Sequence, residues 1–226
     1  MRRSLFLIVI GAGGAAILLW LGFWQMQRLE WKLDVIADID ARIEASPIPL
    51  PDVLDPDADT YLPVEIRGVI APDYLRVLVS QKEIGAGYRI ISPFDMGGRR
   101  VLLDRGFTPV AQTEIPAHVG SVTVRGNLQW PQETDGFTPE PDTANNIWFA
   151  REVADMAEAL DTEPVLVVAS HTSFNDAPIS PLPVDTSAIP NDHLQYAITW
   201  FSLAAIWIAM SLAFILRARR ASKRNL

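Results

Sequence analysis

Asn191-Asp192-His193-Leu194-Gln195-Tyr196-Ala197-Ile198-Thr199-Trp200-Phe201 is a polar cluster that runs straight into a long apolar stretch, Tyr196 to Leu216, with no charge in it. A matching cluster, Trp24-Gln25-Met26-Gln27-Arg28-Leu29-Glu30-Trp31-Lys32, follows the other charge-free stretch, Ser4 to Trp24. Each stretch reaches the roughly 20 residues that a helix needs to span a bilayer. Two spans whose polar ends come together at one membrane face is the architecture these runs predict.

The rest of the composition agrees. Hydrophobic residues make up 49% of the 226 and charged residues only 20%, and the excess is confined to the two runs. All 27 acidic residues lie between Glu30 and Asp192 with only 11 of the 19 Lys and Arg, which leaves that segment at −16. The other basic residues are Arg2, Arg3, Arg28, Arg217, Arg219, Arg220, Lys223 and Arg224; all but Arg28 flank the outer ends of the two runs. Lys and Arg beside a span stay cytoplasmic. Both termini are therefore expected inside, with the acidic segment in a periplasm or intermembrane space. Such a segment argues against nucleic acid as a partner. A cleaved signal peptide would share the Arg2-Arg3 start. The apolar run exceeds an h-region, however, and no small-x-small site follows it. Trp20, Phe23, Trp24 and Trp31 read instead as an interfacial belt against lipid. With no cysteine in the chain, disulfide staples and thiolate chemistry are excluded.

The order expected is a membrane helix at 4–24, an amphipathic helical extension at 25–45, an extracytoplasmic β-rich domain at 60–190, a second membrane helix at 196–216 and a basic cytoplasmic tail at 217–226. Gly11, Gly14, Ala15, Leu18 and Gly22 lie near one helical face, and small residues let membrane helices approach closely. The natural partners are Ala197, Ala204, Ala205 and Ala209. Leu29, Leu33, Ile36, Ile39 and Ile43 continue the first helix at three- and four-residue steps, until Ser46-Pro47-Ile48-Pro49-Leu50-Pro51 stops it. Strands are expected at Val64–Ile70, Leu75–Val79, Tyr88–Phe94, Arg99–Phe107, Val119–Leu128 and Pro164–Ser170. Gly85-Ala86-Gly87 and Gly97-Gly98 read as turns, and Trp148–Leu160 as a helix with Phe149, Val153, Met156 and Leu160 on its core stripe. Arg67-Gly68, Arg105-Gly106 and Arg125-Gly126 each close a strand, where glycine signals a bulge or a close backbone approach. The fold class is thus a membrane protein whose two transmembrane helices flank an antiparallel β-rich α+β domain, open or partly closed as a barrel.

Catalytic chemistry finds little to work with. Ser170 and His171 are adjacent, so a strand turns them to opposite faces. No nucleophile elbow, Walker loop or zinc spacing occurs, so no enzyme is expected. His193 is the better functional candidate. Tyr196, Ala197, Trp200 and Ala204 share its helical face, and an imidazole there can serve haem iron as an axial ligand. Small residues leave room for a flat macrocycle, while Arg28, with Gln25 and Gln27, sits at the same depth and can pair with propionates. The plainer reading is an interfacial histidine next to an Asn191 or Asp192 cap, and position alone favours it.

The same residues resemble the surfeit-locus cytochrome oxidase assembly family. The resemblance rests on Leu21–Lys32, Gly87–Phe94, Val101–Phe107, Asn145-Asn146-Ile147-Trp148 and Asn191–Phe201, in order along nearly the whole chain. Asp192 departs from the asparagine common in that family. What the resemblance implies is a non-enzymatic assembly factor for haem-copper (cytochrome c) oxidase. It would bind haem a, with His193 as the axial ligand and Tyr196, Trp200, Arg28 and Gln25 around it, and help its insertion into oxidase subunit I. Partners implied are subunit I, haem a synthase and membrane lipid. With no transit peptide ahead of the first helix, a bacterial inner membrane is expected rather than a mitochondrial one. The competing reading is a scaffold that stabilises a subunit I intermediate without haem. A two-span sensor is disfavoured because only about ten residues follow the second helix, and an anchored hydrolase by the missing triad.

Overall fold

Helix α1, Arg2–Ile43, carries the charge-free run and its amphipathic extension as one uninterrupted helix of 42 residues. At the other end of the chain α4, His193–Arg224, does the same for the second run and continues through basic residues beyond it. Both contain stretches long and apolar enough to cross a membrane. The computed structural model describes residues 2–81, 85–112, 114–187 and 189–224. They divide into two units, one made of Met1–Asp38 with Thr186–Leu226, the other of Ile39–Asp185.

Within the first unit the two helices pack along the small-residue face. Gly11 and Gly22 are buried, as are Ala197 and Ala204, each 1% exposed. A Cβ on Gly14 would come within 2.5 Å of the Trp207 indole, and one on Gly22 within 2.6 Å of the Phe201 ring. The glycines are therefore sockets for aromatic side chains, the close approach that membrane helices use in place of a hydrophobic driving force. The Trp207 indole N–H, which needs an acceptor away from water, donates to the Gly11 carbonyl at 3.0 Å. Phe23 meets Phe201 edge-on at 5.3 Å. Ala205 and Ala209 do not join this seam; both are exposed. Ala205 is one position past Ala204 and Ala209 two before Ser211, so the helical period turns both away from the 197, 201, 204, 211 progression.

The second unit is a β-barrel with attachments. Its strands are β1 Ile48–Pro49, β2 Pro63–Ile70, β3 Leu75–Gln81, β4 Gly85–Asp95, β5 Arg100–Pro109, β6 Val122–Gln129, β7 Ile147–Trp148 and β8 Leu166–Thr172. Its helices are α2 Pro56–Asp59 and α3 Val153–Leu160. The sheet order is β1-β2-β6-β8-β5-β4-β3-β7, and β2 also pairs with β4, which closes a ring of β2, β6, β8, β5 and β4. Closure removes sheet edges. Three pairings are parallel, β1–β2, β3–β7 and β5–β8. The sheet is thus mixed rather than antiparallel throughout.

Side-chain parity sorts the core into two layers. Val64, Ile66, Val101, Leu103, Val122, Val124, Val167 and Ala169 point into one cluster together with Phe94. Their alternates Leu102, Leu166 and Val168 form a second, covered by Val153, Met156, Ala157 and Leu160 of α3. This is why strands β5 and β8 read as continuous apolar runs instead of alternating ones. Met156, on the inner face of α3, is fully buried. Met156→Ala is expected to cost about 2–5 kcal/mol, read as a lower thermal midpoint of the full chain in detergent.

Local expectations fail in three places. Gly85-Ala86-Gly87 is the start of β4, paired with Gln81, Ser80 and Val79, rather than a turn. The helix expected from Trp148 begins only at Val153, because Ile147 and Trp148 are drawn alongside Arg76 and Val77 of β3. Phe149 lies outside the helix at 36% exposure, whereas the other three stripe residues are core. Around Ser46–Pro51 the chain does more than stop α1, since Ile48 and Pro49 add a parallel strand to β2. The C-terminal carbonyl of α1 is not left bare: the Asn127 amide donates to Ile43 and Tyr61 at 3.0 Å each.

Candidate functional site

Both polar clusters singled out in the sequence meet in the first unit. The Gln25 side chain is 9% exposed, and its amide oxygen lies 2.8 Å from His193 Nδ1. Gln25 is three residues beyond Gly22, so it continues the seam face of α1, and His193 opens α4 one turn before the buried Ala197. An amide oxygen can only accept, so this geometry puts the ring proton on Nδ1. In the neutral ring Nε2 is then the lone-pair nitrogen. A histidine that ligates a metal ordinarily has this form, with its second ring nitrogen donating to a carbonyl. Nε2 of a neutral ring held this way could ligate a metal.

The other candidate residues scatter around that pair. Trp200 is half-buried on the same helix and Tyr196 is 55% exposed. Arg28 is exposed, with its guanidinium 4.4 Å from the centre of the Trp31 ring, a cation–π contact within α1. Gln27 is also exposed. One expectation is corrected. Ala197 and Ala204 do not leave a slot for a macrocycle, because α1 itself fills the space beside them.

The seam has a direct test that the cysteine-free chain makes clean. A Cβ on Gly11 would lie 3.0 Å from Ser211 Cβ, so a slight outward shift reaches the separation of a disulfide. Gly11→Cys with Ser211→Cys is expected to cross-link within one chain on mild oxidation, seen as a faster-migrating monomer on a non-reducing gel. A dimer band instead would mean that the helices pair between chains.

The second unit holds a buried charged seam that sequence reasoning did not foresee. Asp104, 0% exposed, accepts from Arg89 at 2.5 Å and from the Gly106 N–H at 3.0 Å. Arg151 approaches Asp104 at 3.9 Å and pairs with Glu133 at 2.5 Å. Next to it, Arg105 is the extra residue of a bulge, since Ile90 pairs with Gly106 and Ile91 with Asp104. The bulge turns Arg105 inward to grip Asp176 with two bonds, at 2.8 and 2.5 Å, and its guanidinium also donates to the Pro116 carbonyl at 3.1 Å. Gly106 must be glycine there, with φ at 124° and the Ser180 carbonyl against the place of its missing side chain. Arg125 differs: it is exposed and pairs with Glu65. Ser170 is the bulge residue of β8 and donates to the Arg125 carbonyl at 3.1 Å, while His171 is exposed.

Burial pushes the Glu133 carboxyl up, but hydrogen bonds and charge from Arg151 outweigh it and hold Glu133 below the usual range. A carboxylate held low lends stability that is complete above its ordinary range and is lost as pH falls through its folded value. The Arg151 amide, which donates to Glu133 at 2.9 Å, should therefore lose exchange protection on acidification. Glu133→Gln should flatten that pH dependence.

Comparison with known proteins gives one consistent result. The model of the SURF1 family matches residues 12–205. The Surfeit locus protein 1 of Xenopus tropicalis is 32% identical over 213 residues, covering 82% of this chain and 68% of that protein. The human protein of the same name is 30% identical over 210 residues, covering 82% and 69%. The rat protein is 29% identical over 209 residues, covering 82% and 68%.

Proposed function

Because the chain belongs to the SURF1 family, we propose that it is a membrane-anchored assembly factor for haem-copper oxidase that carries haem a to subunit I without catalysing a reaction on it. The observation that carries this reading is the Gln25–His193 pair at 2.8 Å. It presents one imidazole with a defined tautomer at the polar end of the helix seam. Haem is the cargo, and its iron supplies an open coordination position that His193 Nε2 can fill. With α1 filling the space beside Ala197 and Ala204, a macrocycle would be held at the exposed edge of the helix pair, where Trp200 and Tyr196 offer aromatic surface. Arg28, drawn off Trp31, would pair with a propionate. A single protein ligand at an open edge suits a carrier, because the cargo must also leave.

Haem a synthase is the donor this reading implies and subunit I the acceptor. The setting it implies is a bacterial inner membrane, with both termini cytoplasmic and the acidic unit on the opposite side. The test is the reduced optical spectrum of protein purified from cells that make haem a, for wild type and His193→Ala. A haem a band in wild type that the folded variant lacks is the expected result. Wild type free of haem, with subunit I still co-purifying, would overturn the carrier role and leave a scaffold that stabilises subunit I.

A further inference from the structure

Phe137 is 94% exposed, and the loop that carries it is tightly held. Three hydrogen bonds pin the turn beneath it. Asp135 accepts from the Phe137 N–H at 2.8 Å and from the Thr138 hydroxyl at 3.0 Å, and that hydroxyl accepts from the Asp135 N–H at 2.9 Å. One root of the loop is fastened by the Glu133–Arg151 pair. The other is fastened by two backbone bonds between Asp142 and Ile147, at 2.8 and 2.9 Å. An apolar side chain in water lends the fold nothing, yet here the backbone is ordered around presenting one. Ordering a binding group before it binds lowers the entropy lost on association.

The surroundings say what kind of surface would receive it. Asp135, Glu140 and Asp142 flank Phe137, Glu133 at the root is paired with Arg151, and no Lys or Arg occurs between Arg125 and Arg151. The unit as a whole has 23 Asp and Glu against 10 Lys and Arg from Ile39 to Asp185. Hydrogen bonds from the Phe137 N–H and the Asn145 amide hold Asp135 and Asp142, respectively, below the usual carboxylate range. An anionic bilayer would repel such a rim. A protein pocket with Lys and Arg around an apolar floor would attract it.

We infer that Phe137 is a docking anchor that inserts into an apolar, basic-rimmed pocket on a partner protein. Under the assembly reading, on which this rests, that partner is oxidase subunit I. A buried aromatic anchor dominates an interface when it is truncated. Phe137→Ser is therefore expected to weaken subunit I retention by roughly 30-fold or more.

The experiment uses the full chain in membranes that contain the oxidase. A photo-reactive benzoylphenylalanine replaces Phe137, and in parallel Phe137→Ser is compared with Val53→Ser, a control at another site 88% exposed. The expected result is an adduct to subunit I from position 137, with co-purification lost in Phe137→Ser, kept in Val53→Ser and weakened by salt. Unchanged thermal midpoint and haem content in Phe137→Ser would show that the fold and the helix site are untouched. Subunit I that co-purifies equally with Phe137→Ser, or adducts only to lipid, overturns the anchor and spares the assembly reading. No co-purification even by wild type overturns both.

Discussion

Under the haem-carrier proposal, Gln25→Leu is expected to weaken haem binding by about 10–100-fold while the two helices stay paired. Leucine keeps the volume that Gln25 occupies in the seam but offers no acceptor to the His193 Nδ1–H now 2.8 Å away. The ring then loses its fixed tautomer and orientation, and Nε2 becomes a weaker donor to iron. Gln25→Glu should restore binding, since a carboxylate accepts the same proton and raises ligand basicity. Titrating haem into the detergent-solubilised protein and following its Soret band measures all three. His193→Ala should remove the ligand altogether, so adding Gln25→Leu to it should change nothing further, as expected of residues acting as one unit. Equal affinity in Gln25→Leu and wild type would mean that the hydrogen bond does not serve the ligand. The glycine sockets at Gly14 and Gly22 lie on the same seam but touch Trp207 and Phe201. Substitution there should loosen the helices first and haem only as a consequence, and the 11–211 cross-link separates the two effects.

Asp176→Ala should destabilise the β-barrel unit by about 3–5 kcal/mol, because it strands a buried guanidinium. Arg105 is 3% exposed and depends on Asp176 for two of its hydrogen bonds. Its contact with Ser92, at 3.5 Å, is too long to take over. For a chain of this size that loss corresponds to a thermal midpoint lower by about 6–20 °C. Arg105→Met combined with Asp176→Leu should recover much of it, since replacing both members of a buried pair with apolar groups is often neutral. Circular dichroism in the β region during a thermal ramp reads the barrel. A single Asp176→Ala variant as stable as wild type would mean that Arg105 finds water there.

The membrane helices were legible because their signal is local. Twenty uncharged apolar residues with basic flanks specify a span without reference to any other part of the chain. The strands were legible for the same reason where alternation was clean, as in Val64-Glu65-Ile66-Arg67, and β5 through its hairpin with β4. Trp148 was misread as helical because its apolar spacing fits a helix, while the pairing with Val77 that makes it a strand lies 71 residues away. Of the site, His193 and Gln25 stood out by residue type and position, but nothing local could say that they touch. The buried charges were invisible as such. Arg105 and Arg125 sit in identical Arg-Gly pairs, yet one is interior and the other exposed.

The sequence by itself determined the two apolar helices, the acidic β-rich segment between them, the small-residue face of the first helix, and a polar junction with one histidine. These follow from hydropathy, charge and period, which act over a few residues. Only the tertiary structure decided that the sheet closes through β2 and β4, that Asp104 and Arg105 are buried, and that α1 lies against Ala197 and Ala204 and sets Gln25 on His193. Each of these depends on which distant residues end up as neighbours. That is settled by the packing free energy of the whole fold, which no local window of the chain contains.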